Sequence, residues 1–236
     1  MTGGSRGIGR AIVERLASDG ASVVVGYRSG EAEAAAVVAD VVAIGGVAHA
    51  VRADVSDVGE IRELFARAEE LLGGLDIVVL NAGIADGGLI ADQSEVGYDA
   101  IMNVNAKGTF FGLQEAARRV TDGGRIVTIS SVNSAIPEPG AAVYSASKAA
   151  IEQFSVIASK ELGSRRISVN VVSPGATDTE MLRTVNTAED LESYANLSPF
   201  GRLGDPSEVA AVVAFLVGPD GGWVTGQNVR ASGGIP

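Results

Sequence analysis

The sequence predicts a doubly wound α/β fold, with a parallel sheet between two layers of helices, in a single domain over residues 1–236. Apolar strand-like runs alternate with helical periodicity along the whole chain, and such alternation requires right-handed crossovers between parallel strands. Apolar residues make up 46% of the chain and aromatic residues only 5%. That composition is typical of a Val/Ile-rich sheet packed against Ala-rich helices.

Each element has its own pattern in the sequence. Six short apolar runs are the predicted strands, and they lie at 21–27, 48–54, 76–82, 124–130, 167–173 and 227–231. Helical periodicity fills the intervals, at 8–19, 31–44, 56–72, 95–120, 141–163 and 206–217. Ile61, Leu64 and Phe65, for example, follow the spacing of one buried helical face. The stretch 174–205 has no such pattern, and an irregular segment of that length is either a functional lid or disordered.

Charge and composition exclude several classes of function. The formal net charge of −11 argues against nucleic acid and anionic membrane surfaces as partners. The chain has no cysteine and a single histidine, His49, so disulfides, thiolate catalysis and a Cys/His zinc site are excluded, and we expect no metal. The sequence has no apolar run long enough to span a bilayer and no signal-peptide pattern. These features predict a cytoplasmic protein.

The glycine loop, Thr2-Gly-Gly-Ser-Arg-Gly-Ile-Gly9, is the first candidate site. Its glycines suit a sharp turn that another atom approaches closely, and it enters a helix whose free N–H groups favour an anion. Arg6 and Arg10 sit at the start of that helix, where positive charge is unfavourable unless an anion offsets it. The spacing matches neither G-x-G-x-x-G nor the P-loop, and similar loops without ligands are common.

Arg28 and Ser29 follow the strand at 21–27, with no acidic residue at its tip. In dinucleotide-binding folds an acidic residue there binds the ribose 2′-hydroxyl, whereas an arginine accommodates a 2′-phosphate. We therefore predict NADP(H) over NAD(H). The alternative is that Arg28 is a solvated residue at a helix start, and Glu31 nearby keeps that alternative open.

Tyr144 and Lys148 form the second candidate site, because a spacing of four residues in a helix places both on one face. A phenol can protonate a forming alkoxide, but its ordinary pKa near 10 is too high unless a cation such as Lys148 lowers it. Ser131, at the end of the strand 124–130, would donate a hydrogen bond to the substrate oxygen. The three residues predict the interconversion of a carbonyl and a secondary alcohol by hydride transfer, with Tyr144 as general acid and base.

These motifs occur in the chain together with Asn81-Ala82-Gly83, Asn103-Val104-Asn105 and Pro174-Gly175. In this order they resemble those of the short-chain dehydrogenases/reductases, in particular the branch that contains 3-oxoacyl-[acyl carrier protein] reductases and glucose dehydrogenases. The resemblance covers the whole chain. It implies a Rossmann-type domain that binds NADP(H), a substrate lid at 174–205, a small-molecule carbonyl or alcohol substrate, and a homo-oligomer, either a dimer or a tetramer.

The resemblance also assigns residues to roles. The implied catalytic residues are Asn105, Ser131, Tyr144 and Lys148, with Asn105 distorting the helix at 95–120. The implied cofactor-binding residues are Gly3, Ser5, Arg6, Gly7, Ile8, Gly9, Arg28, Ser29, Asp54, Val55, Asn81, Ala82, Gly83, Tyr144, Lys148, Pro174, Gly175, Thr177 and Thr179. From the residues alone, Asp54 is equally consistent with a helix cap before Ser56, and the two asparagines of 103–105 with an exposed helix surface.

Members of this family carry an apolar strand before the opening threonine, in the centre of the sheet, whereas only Met1 precedes Thr2 here. Losing a central strand would leave buried backbone groups unpaired. We therefore expect the working protein to start further upstream; the alternative is that the neighbouring strands close the gap. A second functional hypothesis follows from the gap, namely a catalytically silent NADP-binding or scaffold protein.

Overall fold

A computed structural model of the chain describes residues 1–136 and 138–235. The strands are β1 (Val23–Tyr27), β2 (Ala48–Arg52), β3 (Leu75–Leu80), β4 (Val120–Ile129), β5 (Ser168–Pro174) and β6 (Asn228–Ala231). The α-helices are α1 (Gly7–Ser18), α2 (Glu31–Ala43), α3 (Val58–Leu72), α4 (Glu95–Ile101), α5 (Gly108–Arg119), α6 (Ala142–Glu161), α7 (Glu180–Val185), α8 (Ala188–Leu197) and α9 (Pro206–Val217). Most predicted bounds are within two residues of these.

All strand pairs of the sheet are parallel, in the order β2-β1 on one side and β3-β4-β5-β6 on the other. Helices α3, α5 and α6 pack on one face, around Ile61, Phe65 and Ile126. Helices α1, α2 and α9 pack on the other face, where Ile12 meets Val213 and Val37 lies in a neighbouring cluster. The prediction of a parallel sheet covered on both faces is confirmed.

Thr2 lies between the two parts of the sheet. It bridges to Gly26 of β1 and Leu80 of β3, and its N–H donates to the Val79 carbonyl over 3.0 Å. The Met1 carbonyl accepts from the Gly26 N–H over 2.8 Å. Next to Met1, β1 and β3 are separated by a cavity of about 70 Å³ with a largely apolar lining. In the described residues β1 and β3 do not pair with each other, and Thr2 bridges to both of them, so the alternative in which neighbouring strands close the gap is wrong there.

One predicted segment differs from the structure, and a second shows the distortion that the family resemblance implies. The stretch 174–205 is not irregular, because it contains α7 and α8, and α8 starts with a capping box between Thr187 and Asp190. The predicted helix at 95–120 is interrupted by a π-helical turn over Met102–Lys107. Among the described residues, no helix is both long enough and apolar enough to cross a membrane.

Candidate active site

Ser131, Tyr144 and Lys148 come together at the carboxyl end of β4. Ser131 follows that strand and is 9% exposed, while Tyr144 and Lys148 lie in the first two turns of α6. The Lys148 Nζ lies 5.7 Å from the centre of the Tyr144 ring. The two side chains therefore share one face of the helix, as their spacing predicts.

The ammonium group of Lys148 is buried, with only 4% of the residue exposed. Its Nζ donates to the Ile129 carbonyl over 3.0 Å. Burial lowers the pKa of Lys148 to about 8, because removing the cation from water disfavours the charged form. A Cβ at Gly83 would lie 3.3 Å from this Nζ, so a larger residue there would crowd the lysine.

The pKa of Tyr144 moves opposite to the direction expected from the sequence. Burial raises it above its ordinary value, and the nearby Ser131 hydroxyl lowers it by less. Lys148 does not reverse the shift, since its Nζ is directed to the Ile129 carbonyl. In the protein alone, Tyr144 is thus held as a neutral phenol next to Ser131.

Asn105 is fully buried within the π-helical turn. Its Oδ1 accepts from the Ile84 N–H over 2.8 Å, and its Nδ2 donates to the Ile84 carbonyl over 2.9 Å and to the Ser147 Oγ over 3.0 Å. The expected distortion of the helix is present, and π-helical turns are frequent at functional sites. The alternative of exposed asparagines is wrong for Asn105, which connects the chain after β3 to α6.

The glycine loop wraps against the end of β3. A Cβ at Gly9 would lie 2.0 Å from the Gly3 carbonyl oxygen, so no larger residue fits there. Asn81 braces the loop, because its Nδ2 donates to the Gly3 carbonyl over 2.8 Å. Helix α1 has no side-chain hydrogen bond at its N-cap, Arg6, and no acidic residue in its first turn. The first N–H groups of α1 therefore form a cradle that suits an anion.

The two arginines at the start of α1 have different surroundings. Arg10 pairs with Glu14 over 2.6 Å and with Asp40 over 2.8 Å. The expectation that Arg10 requires a bound anion is wrong, because these carboxylates already offset its charge. Arg6 lies 3.4 Å from Glu180, and more than half of each side chain is exposed.

Arg28 and Ser29 are exposed after β1, at the end where Asp54 follows β2. The Asp54 Oδ1 accepts from the Ser56 N–H over 2.9 Å and from its hydroxyl over 2.7 Å. Burial raises the pKa of Asp54, but these bonds and the charges of Arg28 and Arg52 outweigh it and bring the pKa below its ordinary value. The N-cap of α3 is Asp57, so Asp54 stabilises the turn before the helix.

The remaining predicted contacts lie around the glycine loop and the end of β5. The Ala82 N–H donates to the Thr2 hydroxyl over 3.2 Å. Thr179 caps α7, and its side chain lies 3.3 Å from where a Cβ on Gly7 would be. Thr177 is buried, and its hydroxyl donates to the Gly175 carbonyl over 2.9 Å. Three others are packed into the protein: Ser5 is buried, Ile8 packs in the core under α1 and α9, and Val55 packs against the start of α5.

Comparison with known proteins assigns the family. The family described as enoyl-(acyl carrier protein) reductase matches residues 3–236. A short-chain dehydrogenase from Burkholderia cenocepacia, solved in complex with NADP, is 41% identical and covers 100% of this chain and 96% of that chain, with a TM-score of 0.95. The chain belongs to the short-chain dehydrogenase/reductase family.

Two further proteins support this membership. An uncharacterised oxidoreductase of Methylorubrum extorquens is 44% identical over 238 residues, which cover 100% of this chain and 96% of that protein. The structure of an angucycline C-6 ketoreductase with bound NADP has a TM-score of 0.94 and 41% identity, and covers 99% of this chain and 93% of that chain. This short-chain dehydrogenase/reductase is thus similar to oxidoreductases over almost the entire length of each.

Sequence reasoning missed the residues that connect α8 of this short-chain dehydrogenase/reductase to the loop after β4. The Tyr194 hydroxyl, on α8, donates to the Glu138 carboxylate over 2.8 Å. Glu138 also accepts from the Asn133 Nδ2 over 2.9 Å. Burial and the Glu138 carboxylate raise the pKa of Tyr194 to about 12. No sequence pattern pairs residues so far apart, although the capping box at Thr187 could have revealed α8.

Proposed function

We propose that this short-chain dehydrogenase/reductase interconverts a carbonyl compound and a secondary alcohol with NADP(H), in the manner of a 3-oxoacyl reductase. The observation that carries the proposal is the placement of Tyr144 beside Ser131 and Lys148 at the carboxyl end of β4. The hydroxyls of Ser131 and Tyr144 can both donate hydrogen bonds to a substrate oxygen that is being protonated. The buried Lys148 cation favours the loss of a proton from the Tyr144 phenol.

The residues present fit a dinucleotide phosphate. No side chain caps the first turn of α1, so its backbone N–H groups are available to a pyrophosphate. The close packing of Gly9 against Gly3 holds the glycine loop next to them. The exposed Arg28 would bind the 2′-phosphate, and Asp54 would face the adenine. Pro174 and Gly175 would lie against the nicotinamide. When bound, NADP(H) supplies or accepts the hydride.

The chain's own residues perform the proton chemistry. Ser131 donates a hydrogen bond to the substrate oxygen and fixes its position beside Tyr144. Tyr144 gives its proton to that oxygen during reduction and recovers it during oxidation. Lys148 stabilises the resulting phenolate by its charge. Asn105 holds the π-helical turn and the chain at Ile84 in place around the lysine.

A turnover assay that follows NADPH absorbance tests this function. The panel contains 3-oxoacyl thioesters, aromatic ketones and α,β-unsaturated acyl thioesters. We expect reduction of at least one ketone, and loss of that activity in Tyr144→Phe. Reduction of the unsaturated thioesters alone would contradict carbonyl chemistry. NADPH binding without turnover of any member would favour the silent scaffold.

We also propose that the protein is a homo-oligomer, a dimer or a tetramer, formed through α5 and α6. Phe110 is 44% exposed and Ile157 is 53% exposed on these helices. The Phe110 ring meets Phe111 and Phe154 edge-on, with ring centres 5.4 and 5.2 Å apart. An exposed apolar face of this kind favours association. Light scattering should give a multiple of the chain mass that Phe110→Glu reduces, whereas a monomer at all concentrations would contradict the proposal.

A further inference from the structure

Glu152 lies on α6 one turn beyond Lys148 and two turns beyond Tyr144, on the same helix face. Its Oε1 accepts a hydrogen bond from the Ser130 hydroxyl over 2.8 Å and a short one from the Ser134 hydroxyl. Hydrogen bonds to a carboxylate are stronger than those between neutral groups. The helix that carries the proposed acid and its cation therefore carries a third polar group, directed at the loop after β4.

The two serine donors flank Ser131 in the chain. Ser130 precedes it directly, is 3% exposed, and its Oγ also lies 3.1 Å from the Lys148 carbonyl. Ser134 ends the short turn after Ser131, and its hydroxyl lies 2.8 Å from the Ser131 carbonyl. The Glu152 carboxylate thus holds the loop on both sides of Ser131.

The same carboxylate oxygen also approaches the next strand. The Ser173 Oγ lies 3.3 Å from the Glu152 Oε1 and 2.7 Å from the Asn228 Oδ1, and Ser173 is fully buried. Ser173 directly precedes Pro174 and Gly175 at the end of β5. Glu152 therefore lies between the ends of β4 and β5, which carry the proposed substrate-binding and nicotinamide-binding residues.

We propose that Glu152 is a positioning residue, which fixes Ser131 relative to Tyr144 by anchoring the hydroxyls of Ser130 and Ser134. The inference rests on the proposed function, because it assigns Glu152 to the same reaction. Removing the carboxylate takes the charged acceptor from the Ser130 and Ser134 hydroxyls and weakens the attachment of the loop to α6. A small displacement of a positioning group is sufficient to slow a reaction about 100-fold.

Kinetics of three variants test the role. In Glu152→Ala we expect kcat to fall roughly 10- to 100-fold, with the dissociation constant for NADPH within about threefold of wild type. Glu152→Gln keeps an acceptor oxygen in the same place and should recover most of the kcat. The matched control is Ser155→Ala, which removes a 2.8 Å hydrogen bond between Ser155 and Thr128 from the same helix–strand contact. It should lower the melting temperature and leave kcat within about twofold.

Titration of Tyr144, followed by NMR in protein labelled on tyrosine carbons, gives a readout that needs no turnover. The Ser131 hydroxyl lowers the pKa of Tyr144, so displacing it in Glu152→Ala should raise that pKa, and Ser155→Ala should not. If Glu152→Ala does not fold, the double variant Ser130→Ala/Ser134→Ala removes the donors instead and should give the same changes. An unchanged Tyr144 titration and an unchanged kcat in the folded variants would overturn the inference. A raised pKa in a protein that turns over no carbonyl would instead overturn the proposed function and leave the positioning role standing.

Discussion

The two ends of the proposed active site differ in how many of their polar groups already have partners within the protein. The catalytic end contains Asn105, Ser131, Tyr144 and Lys148, and the phosphate end contains the glycine loop, Arg28 and Ser29. At the catalytic end Asn105 is 0% exposed and Lys148 is 4% exposed, and each makes a hydrogen bond to a backbone carbonyl. At the phosphate end Arg28 and Ser29 are exposed, and the Arg6 side chain is 58% exposed. The glycine backbone of that end is nevertheless tightly packed, and Ser5 and Thr177 are buried.

We expect this difference to separate catalysis from cofactor choice. Buried polar groups must be satisfied and are held in one arrangement, so we expect the proposed catalytic end to be organised before substrate binds. Exposed arginines are hydrated until a bound anion displaces the water. Each of them therefore contributes only modestly to the affinity for NADP(H). Substitutions at the catalytic end should therefore change kcat, and substitutions at the phosphate end should change the binding of NADP(H).

Tyr144→Phe should produce the largest effect on turnover. Loss of a general acid lowers kcat by about 10²- to 10⁴-fold, while the phosphate end keeps its contacts. Steady-state kinetics with NADPH fluorescence titration measures both quantities. The control is Tyr98→Phe, which removes an exposed phenol on α4. If Tyr144→Phe keeps more than roughly a tenth of the wild-type kcat, Tyr144 is not the general acid.

Lys148→Met should stabilise the folded protein while it impairs catalysis. The pKa of Lys148 is lowered from 10.5 to about 8, so burying the cation costs about 3 kcal/mol at neutral pH. The unfolded chain binds more protons than the folded one between these values. The wild type therefore gains stability as the pH rises from about 8 to 10.5. Urea denaturation should show Lys148→Met more stable by about 1–3 kcal/mol at pH 7, with the difference shrinking towards pH 10.5. A less stable variant at both pH values would show that the buried cation carries no such penalty.

Arg28→Ala should affect only the phosphate end. We expect the dissociation constant for NADP⁺ to rise about tenfold, since a charged hydrogen bond contributes about 1.5–3 kcal/mol before solvent screening. Binding of NAD⁺ and the value of kcat should be unchanged. Arg15→Ala removes the same charge from an exposed pair at the far end of α1 and serves as the control. Equal weakening of NADP⁺ and NAD⁺ binding would remove Arg28 from the recognition of the 2′-phosphate.

Tyr194→Phe should have the smallest effect, because it removes a single hydrogen bond between α8 of the proposed lid and Glu138. The loss of about 0.5–1.5 kcal/mol corresponds to a rise in KM of about two- to tenfold, with kcat unchanged. Glu138→Gln keeps an acceptor and should resemble wild type. If kcat falls and KM does not change, the lid acts on the chemistry and not on substrate retention.

The features that could be predicted from the sequence depend on residues close together in the chain. Alternating apolar runs predict the strands because each strand is buried on both faces, and the spacing of Tyr144 and Lys148 predicts their common face because helical geometry fixes it. The pairing of Arg10 with Asp40, on a different helix, could not be predicted, because no local pattern in the sequence indicates which helices pack together. The expectation that a bound anion offsets the charge of Arg10 is wrong for this reason.

Three features of the site depend on tertiary structure. The π-helical turn at Asn105 arises where its amide bonds both backbone groups of Ile84, a contact between distant segments. The pKa of Tyr144 depends on burial, which outweighs the expected effect of Lys148. The spacing of Glu152 from Lys148 is visible in the sequence, but the serines that converge on it come from two different strand ends.

We expect Tyr144 to be a neutral phenol in the free protein and to become an effective acid and base only when NADP(H) is bound. NMR titration of the four tyrosines, with Tyr144→Phe to assign the signal, measures this directly in the presence and absence of NADP⁺. We predict a Tyr144 pKa above its ordinary value in the free protein, as burial dictates, and a fall on addition of NADP⁺, whose positive charge favours the phenolate. A pKa that is already low in the free protein, or that does not change with NADP⁺, would contradict the account.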